Sequence, residues 1–132
     1  MVRAHTRSVD PAQEKIMKYT ERRFGDVVIV DLEGKATFGT QGSALRQIVG
    51  DLLDRGETCI LLNMAAVSYM DSGGIGDLVV GFTKVSRRSG QLKLLNLTDK
   101  THDLLEMTGL IDVFRHFSDE TEAVNSFDTE LT

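Results

Sequence analysis

Residues Tyr69 to Leu78 read Y-M-D-S-G-G-I-G-D-L, an acid and a hydroxyl set among glycines where an apolar run gives way to a helical pattern. Four kinds of chemistry use such a stretch: a serine nucleophile, a phosphate-cradling loop, a helix cap, and a hydroxyl that receives a phosphate. The first two carry spacing rules. A P-loop requires G-x-x-x-x-G-K-[ST], but the Gly34-Lys35 pair is followed by Ala36, and Ile29 stands where the first glycine belongs. A dinucleotide fingerprint needs a third glycine, and after Gly74-Ile75-Gly76 the chain runs Asp77-Leu78-Val79. A nucleophile elbow, G-x-S-x-G, fails at Met70. Spacing does not decide a Ser-His pair, because His102 and His116 are remote from Ser72 in sequence. His5, His102 and His116 share no ligand-like spacing with one another or with Cys59, so no metal site is expected. No catalytic constellation emerges, and neither an enzyme nor a cofactor is expected.

Capping accounts for part of the stretch. Asp71 or Ser72 at the head of a helix satisfies backbone N–H groups, and glycine permits a tight strand-to-helix turn. Capping alone leaves Gly73, Gly74 and Gly76 unexplained, since a glycine inside a helix costs roughly 1 kcal/mol against alanine. One reason to accept that cost is a surface that another backbone or a partner approaches closely. The residues by themselves leave a cap and a site both open.

The elements that position this stretch are legible in the pattern. I-M-K-Y-T-E-R-R-F and V-V-I-V-D-L, separated by Gly25-Asp26, predict a β-hairpin whose second strand is covered on both faces. K-A-T-F-G-T-Q-G after Gly34 predicts a loop. Leu45, Ile48, Val49, Leu52 and Leu53 then form one apolar stripe, with Ser43 or Thr40 as cap and Gly56 as stop. T-C-I-L-L-N-M (58–64) predicts a buried strand. Ile75, Leu78, Val79, Phe82 and Val85 share a helical face, with Asp77, Lys84, Arg87 and Arg88 off it and Gly90 at the end. L-K-L-L-N-L (92–97) predicts another strand, followed by a short helix capped by Thr98 or Asp99 and stopped at Gly109. V-F-R-H-F predicts a last strand and D-E-T-E-A-V-N-S-F an acid-started helix. The order β-β-α-β-α-β-α-β-α implies an α/β fold: an open, mostly parallel sheet of about five strands, the first antiparallel, packed with about four helices. Loops at strand C-terminal ends carry function in such sheets, and Asp71-Ser72 lies at one of them.

Composition bounds the function. At 132 residues the chain fits one domain, which at this size buries roughly two-thirds of its unfolded surface. Residues 1–15 are polar and aperiodic and read as a flexible N-terminal segment, 16–127 as the domain, 128–132 as a tail. Fifteen Lys and Arg against twenty Asp and Glu give a net charge of -5, which argues against binding nucleic acid. The pairs Arg22-Arg23 and Arg87-Arg88 are expected on solvated faces. A single cysteine, Cys59, leaves no internal disulfide and fits a reducing compartment. No apolar signal region opens the chain, and no run approaches the roughly 18 apolar residues of a membrane helix. A cytoplasmic protein without membrane insertion is expected.

V-S-Y-M-D-S-G-G-I-G-D-L resembles the signature of STAS domains, the fold of anti-sigma factor antagonists, in which an aspartate and then a serine or threonine precede a small residue, a glycine and an aliphatic residue. V-V-I-V-D-L-E-G resembles the family's second strand with its closing glycine, and L-L-E-M-T-G-L-I-D-V-F its late helix, turn and strand. The resemblance runs from Ile16 to Phe127. It implies a phosphoprotein working by partner switching in transcription regulation. The partner is an anti-sigma factor serine kinase: the unphosphorylated antagonist binds it and frees a sigma factor, and a serine phosphatase restores the serine. Ser72 would be the phosphoacceptor, Asp71 its neighbour in the kinase contact, and Gly73 and Gly74 the floor that lets the partner approach. Gly34, Lys35 and Thr37 would belong to the same partner surface. Two positions depart from the pattern. Gly73 stands where many antagonists carry a second serine, and the loop G-K-A-T-F-G lacks the acid often found after that glycine. Lys35 and Thr37 therefore imply a partner of different charge preference or a different subtype. The alternative is a STAS scaffold without a phosphoswitch, such as an accessory subunit of a transporter or stress-signalling complex.

Overall fold

The computed structural model describes residues 5–6, 17–36 and 44–131. The chain enters as a two-residue strand, β1 (His5–Thr6), paired antiparallel with β2 (Met17–Phe24) through His5–Glu21 and Thr6–Thr20. The sequence places no element before Ile16, because two residues among polar neighbours carry no periodic signal. Gly25, at φ 59°, and Asp26 then turn the chain into β3 (Val27–Ala36), antiparallel to β2. Lys35 and Ala36, expected in a loop, are the last residues of β3; the rest of that loop, Thr37 included, and the candidate caps Thr40 and Ser43 lie outside the described residues.

Helix α1 (Ala44–Asp54) buries Leu45, Ile48, Val49, Leu52 and Leu53, the stripe read from the sequence. Strand β4 (Cys59–Met70) runs six residues beyond the expected end at Met64 and stays paired with β3 as far as Ala36–Met70. Two irregularities of register, between Asp31 and Glu33 and between Gly34 and Lys35, let the more exposed second half of β4 follow β3 without strict alternation. Helix α2 (Ser72–Arg87) follows directly. Gly90 does not supply its left-handed stop: Ser89 does, at φ 59°, while a Cβ at Gly90 would sit 2.4 Å from the Thr58 carbonyl oxygen.

Strand β5 (Gln91–Leu95) and helix α3 (Asp99–Met107) come next, α3 capped by Thr98, whose hydroxyl accepts from the Thr101 amide at 3.2 Å. Only His116–Phe117 of V-F-R-H-F pairs as a strand, β6, because Phe114 turns inward to meet Phe82 edge to face at 5.3 Å. Helix α4 (Glu120–Leu131) extends into the stretch read as a tail. The sheet order is β1-β2-β3-β4-β5-β6, with β3 to β6 parallel.

Alternation along the central strands feeds two cores. Val28, Val30, Ile60, Leu62, Leu92 and Leu94 face α1, α2 and α3, whereas Val27, Ile29, Cys59, Leu61 and Leu95 face Ala123 and Phe127 of α4. Near-continuous apolar strands are what burial on both faces demands. The α4 face also carries charge. Arg22 is not a solvated surface cation: it donates to Asp31 at 2.6 and 2.9 Å and to Glu120 at 2.7 and 3.0 Å, while Asn63 donates to Asp31 at 2.7 Å. Burial opposes ionisation of Asp31, but these hydrogen bonds outweigh it and hold its carboxyl below the usual carboxylate range. The network therefore stabilises the fold above the ordinary carboxylate pKa, and that contribution is lost as pH falls through the lowered one.

Lys93 of β5 lies on this face, 2% exposed, with Nζ 4.5 Å from the Phe127 ring centroid and 2.9 Å from Ser126 Oγ. Desolvation, helped by the charge of Arg115, pushes its pKa from 10.5 down to about 8. Unfolded chains hold that proton up to the ordinary value, so stability rises with pH between about 8 and 10.5. Denaturant midpoints measured across that window are expected to climb in the parent chain and to lose this rise in Lys93→Met; identical pH profiles would refute the assignment.

Candidate functional site

The Y-M-D-S-G-G-I-G-D-L stretch spans the end of β4 and the first turn of α2. Its aspartate, not its serine, is the cap. Asp71 has extended backbone (φ -119°, ψ -171°), and its Oδ1 accepts from the amides of Gly73 at 2.9 Å and Gly74 at 3.2 Å. The Asp71 carbonyl accepts from the Ile75 amide at 3.0 Å, the first hydrogen bond of the helical ladder. A carboxylate here also meets the positive end of the helix dipole. Ser72 is the first helical residue and is exposed. Capping thus falls to its neighbour, and the hydroxyl stands at the surface.

The three glycines do different things. Gly74 is buried, and a Cβ built on it would lie 2.3 Å from the Ala36 carbonyl oxygen and 2.9 Å from Met70 Cγ. The same Ala36 oxygen accepts from the Asp71 amide at 3.3 Å. Gly74 therefore serves the chain's own packing, letting the start of α2 sit on the end of β3. Gly76 is exposed, with nothing within 4 Å of an added Cβ. Packing gives no reason for a glycine there. Gly73 is half-buried and contributes its amide to the cap.

Parallel pairing brings the other candidates to the same end of the sheet. Gly34 pairs with Val67 and Lys35 with Tyr69, while Ser68 Oγ donates to the Gly34 carbonyl at 3.3 Å. Gly34 adopts φ 113°, where a side chain would be strained, beside one of the two register irregularities. Lys35 and Tyr69 are exposed, Tyr69 by 50%. Thr37 lies outside the described residues. Behind this surface, Asp77 is 7% exposed rather than off the buried face as its position suggested, because Arg46 of α1 donates to it at 3.2 Å and ties α1 to α2.

Sequence reasoning missed a second cluster. His102 Nδ1 lies 3.2 Å from Glu106 Oε1, and the rings of His102 and His116 meet edge to face with centroids 5.8 Å apart. The spacing of His102 and Glu106, one helical turn, was readable; the approach of His116 required the fold.

Stability measurements separate the roles of the turn residues. Asp71→Ala is expected to cost about 1 kcal/mol through loss of the cap. Gly74→Ala should cost about 1–3 kcal/mol, because a methyl there meets backbone that cannot move aside. Gly76→Ala should instead gain about 0.5–1 kcal/mol, as for an unhindered helical glycine. Chemical denaturation of the three variants checks this, and equal effects at Gly74 and Gly76 would contradict the assignment.

Comparison with known proteins identifies the fold. The family model of the STAS domain matches residues 18–123. The anti-sigma-B factor antagonist of Listeria monocytogenes is 40% identical over 52 residues, which cover 39% of this chain and 46% of that one, so the match spans about half the length of that relative. Among solved structures, an anti-sigma factor antagonist from Mycobacterium paratuberculosis superposes with a TM-score of 0.73 at 17% identity, covering 92% of this chain and 99% of that one. The Bacillus cell fate determinant SpoIIAA, in its phosphorylated form, gives a TM-score of 0.57 at 20% identity, covering 94% and 98%. No helix among the described residues is long and apolar enough to cross a membrane. With the family signature on the β4–α2 turn and the expected sheet around it, the chain belongs to the STAS domain family.

Proposed function

We propose that this chain is an anti-sigma factor antagonist that binds an anti-sigma serine kinase and is switched off when that kinase phosphorylates Ser72, so that the phosphorylation state of one serine controls release of a sigma factor. The observation that carries this reading is the division of labour at the turn: Asp71 caps α2, and Ser72 is left exposed at the first helical position. A similar protein bears the name anti-sigma-B factor antagonist, and a fold neighbour has been determined in a phosphorylated form. Asp71, Gly73, Gly34, Lys35 and Thr37 are assigned to the partner surface; Gly74 supports it from beneath.

In the transfer, Ser72 Oγ bonds to the γ-phosphorus of ATP, the bond from that phosphorus to the bridging oxygen of ADP breaks, and the hydroxyl proton passes to a base on the kinase. The product adds roughly -1.5 to -2 charge at the surface. The dipole at the start of α2 tolerates that charge, so the fold survives. Outward, the phosphate stands beside the Asp71 carboxylate in the contact, where like-charge repulsion and desolvation oppose binding. A serine phosphatase reverses the step.

Incubation of the chain with its cognate kinase and ATP, read by intact mass, should add one phosphoryl group to the parent and none to Ser72→Ala. Ser72→Ala should keep its affinity for the kinase, while Ser72→Asp loses at least about tenfold, or 1.4 kcal/mol. Equal affinities of the two variants would favour a scaffold indifferent to charge at Ser72 and sink the proposal.

A further inference from the structure

We infer that the C-terminal edge of the sheet carries a second site, apart from the Asp71–Ser72 turn, which takes a borderline divalent cation of the zinc class through His102, Asp103 and Glu106, with His116 contributing a second imidazole. Ligand atoms of His102, Asp103 and Glu106 all lie within 4.8 Å of one another. Among the described residues it is the one group of three or more such donors. Tetrahedral zinc, with donors about 2.0–2.2 Å from the ion, needs neighbouring donors roughly 3.3–3.5 Å apart. The 3.2 Å between His102 Nδ1 and Glu106 Oε1, an ion-pair contact, falls just short of that spacing and reaches it with a small side-chain rotation. Asp103 and Glu106 are exposed, so their carboxylates can close on an ion by side-chain rotation alone.

The second imidazole comes from a different element. His116 is exposed on the edge strand β6, and its ring stands at 82° to that of His102. Both rings line an open cavity of about 500 Å³ together with Asn96, Leu97, Phe117 and Ser118; Asp103 and Glu106 stand outside that lining, so His116 joins the other three donors only when the exposed side chains rotate toward a shared ion. The donor set decides the class of ion. Imidazole with carboxylate suits zinc, cobalt and nickel, whereas magnesium and calcium prefer oxygen donors alone. Helical spacing supplies His102 and Glu106 and the strand supplies His116, so an occupied site ties α3 to the sheet edge.

Titration of the chelator-treated chain with Zn²⁺ by calorimetry, with thermal unfolding in parallel, tests the site. One Zn²⁺ per chain is expected, with a higher unfolding temperature. His102→Ala and Glu106→Gln should each weaken binding by about tenfold or more, at least the loss seen for outer-shell partners. His116→Ala should weaken it as well, while His5→Ala leaves it unchanged. Co²⁺ should give visible absorption of a tetrahedral nitrogen–oxygen site, and Mg²⁺ no comparable stabilisation. His102, Glu106 and His116 are half-buried or exposed, and the melting curves report directly that each variant is folded. Absence of Zn²⁺ binding, or an affinity that His102→Ala and Glu106→Gln leave intact, would overturn the assignment.

Discussion

One backbone contact organises the site: the start of α2 rests on the end of β3 where Gly74 meets the Ala36 carbonyl, at a distance that admits no side chain. The same carbonyl accepts from the Asp71 amide, so one oxygen fixes both the strand end and the helix start. Asp71 can cap only because its backbone is held extended there, and Ser72 reaches the surface only because Asp71 caps. The glycine-rich signature is thus first a packing device. The proposed partner surface is built on top of that device, from Asp71, Ser72, Gly73 and the neighbouring end of β3.

This order of dependence explains why a phosphate is suited to the position. A modification that fed into the core would have to move close-packed side chains, and such cores resist small displacements. Ser72 instead touches solvent, while Ile75, Leu78 and Val85 of the same helix anchor it in the core. The Arg46–Asp77 pair adds a charged tie between α1 and α2 behind the turn. Charge added at Ser72 therefore changes what the surface presents and leaves the scaffold as it was.

Much of the fold was legible because the strands and helices of this chain obey simple periodicities. The α1 stripe, the hairpin turn at Gly25 and the buried β4 core each follow from residue types alone. Three features were not legible, for different physical reasons. The extension of β4 to Met70 depends on pairing with β3, since A-A-V-S-Y-M alternates poorly and is half-exposed. Lys93 and Arg22 look like surface charges until the fold supplies Phe127 and Ser126 for one, Asp31 and Glu120 for the other. At the site, the sequence narrowed the choice to a cap or a phosphate acceptor, and the structure assigns the cap to Asp71. Gly74, expected on the partner side, turned out to serve the interior; only an adjacent backbone could show that.

The central claim is that Ser72 sits on a rigid turn whose modification acts outward. Amide hydrogen exchange and backbone chemical shifts of the Ser72-phosphorylated chain, compared with the unmodified one, test it most directly. The account predicts changes confined to the β4–α2 turn and the facing end of β3, with protection of β3, β4 and β5 unaltered. Loss of protection across the central sheet, or shifts spread through α1 and α4, would contradict it.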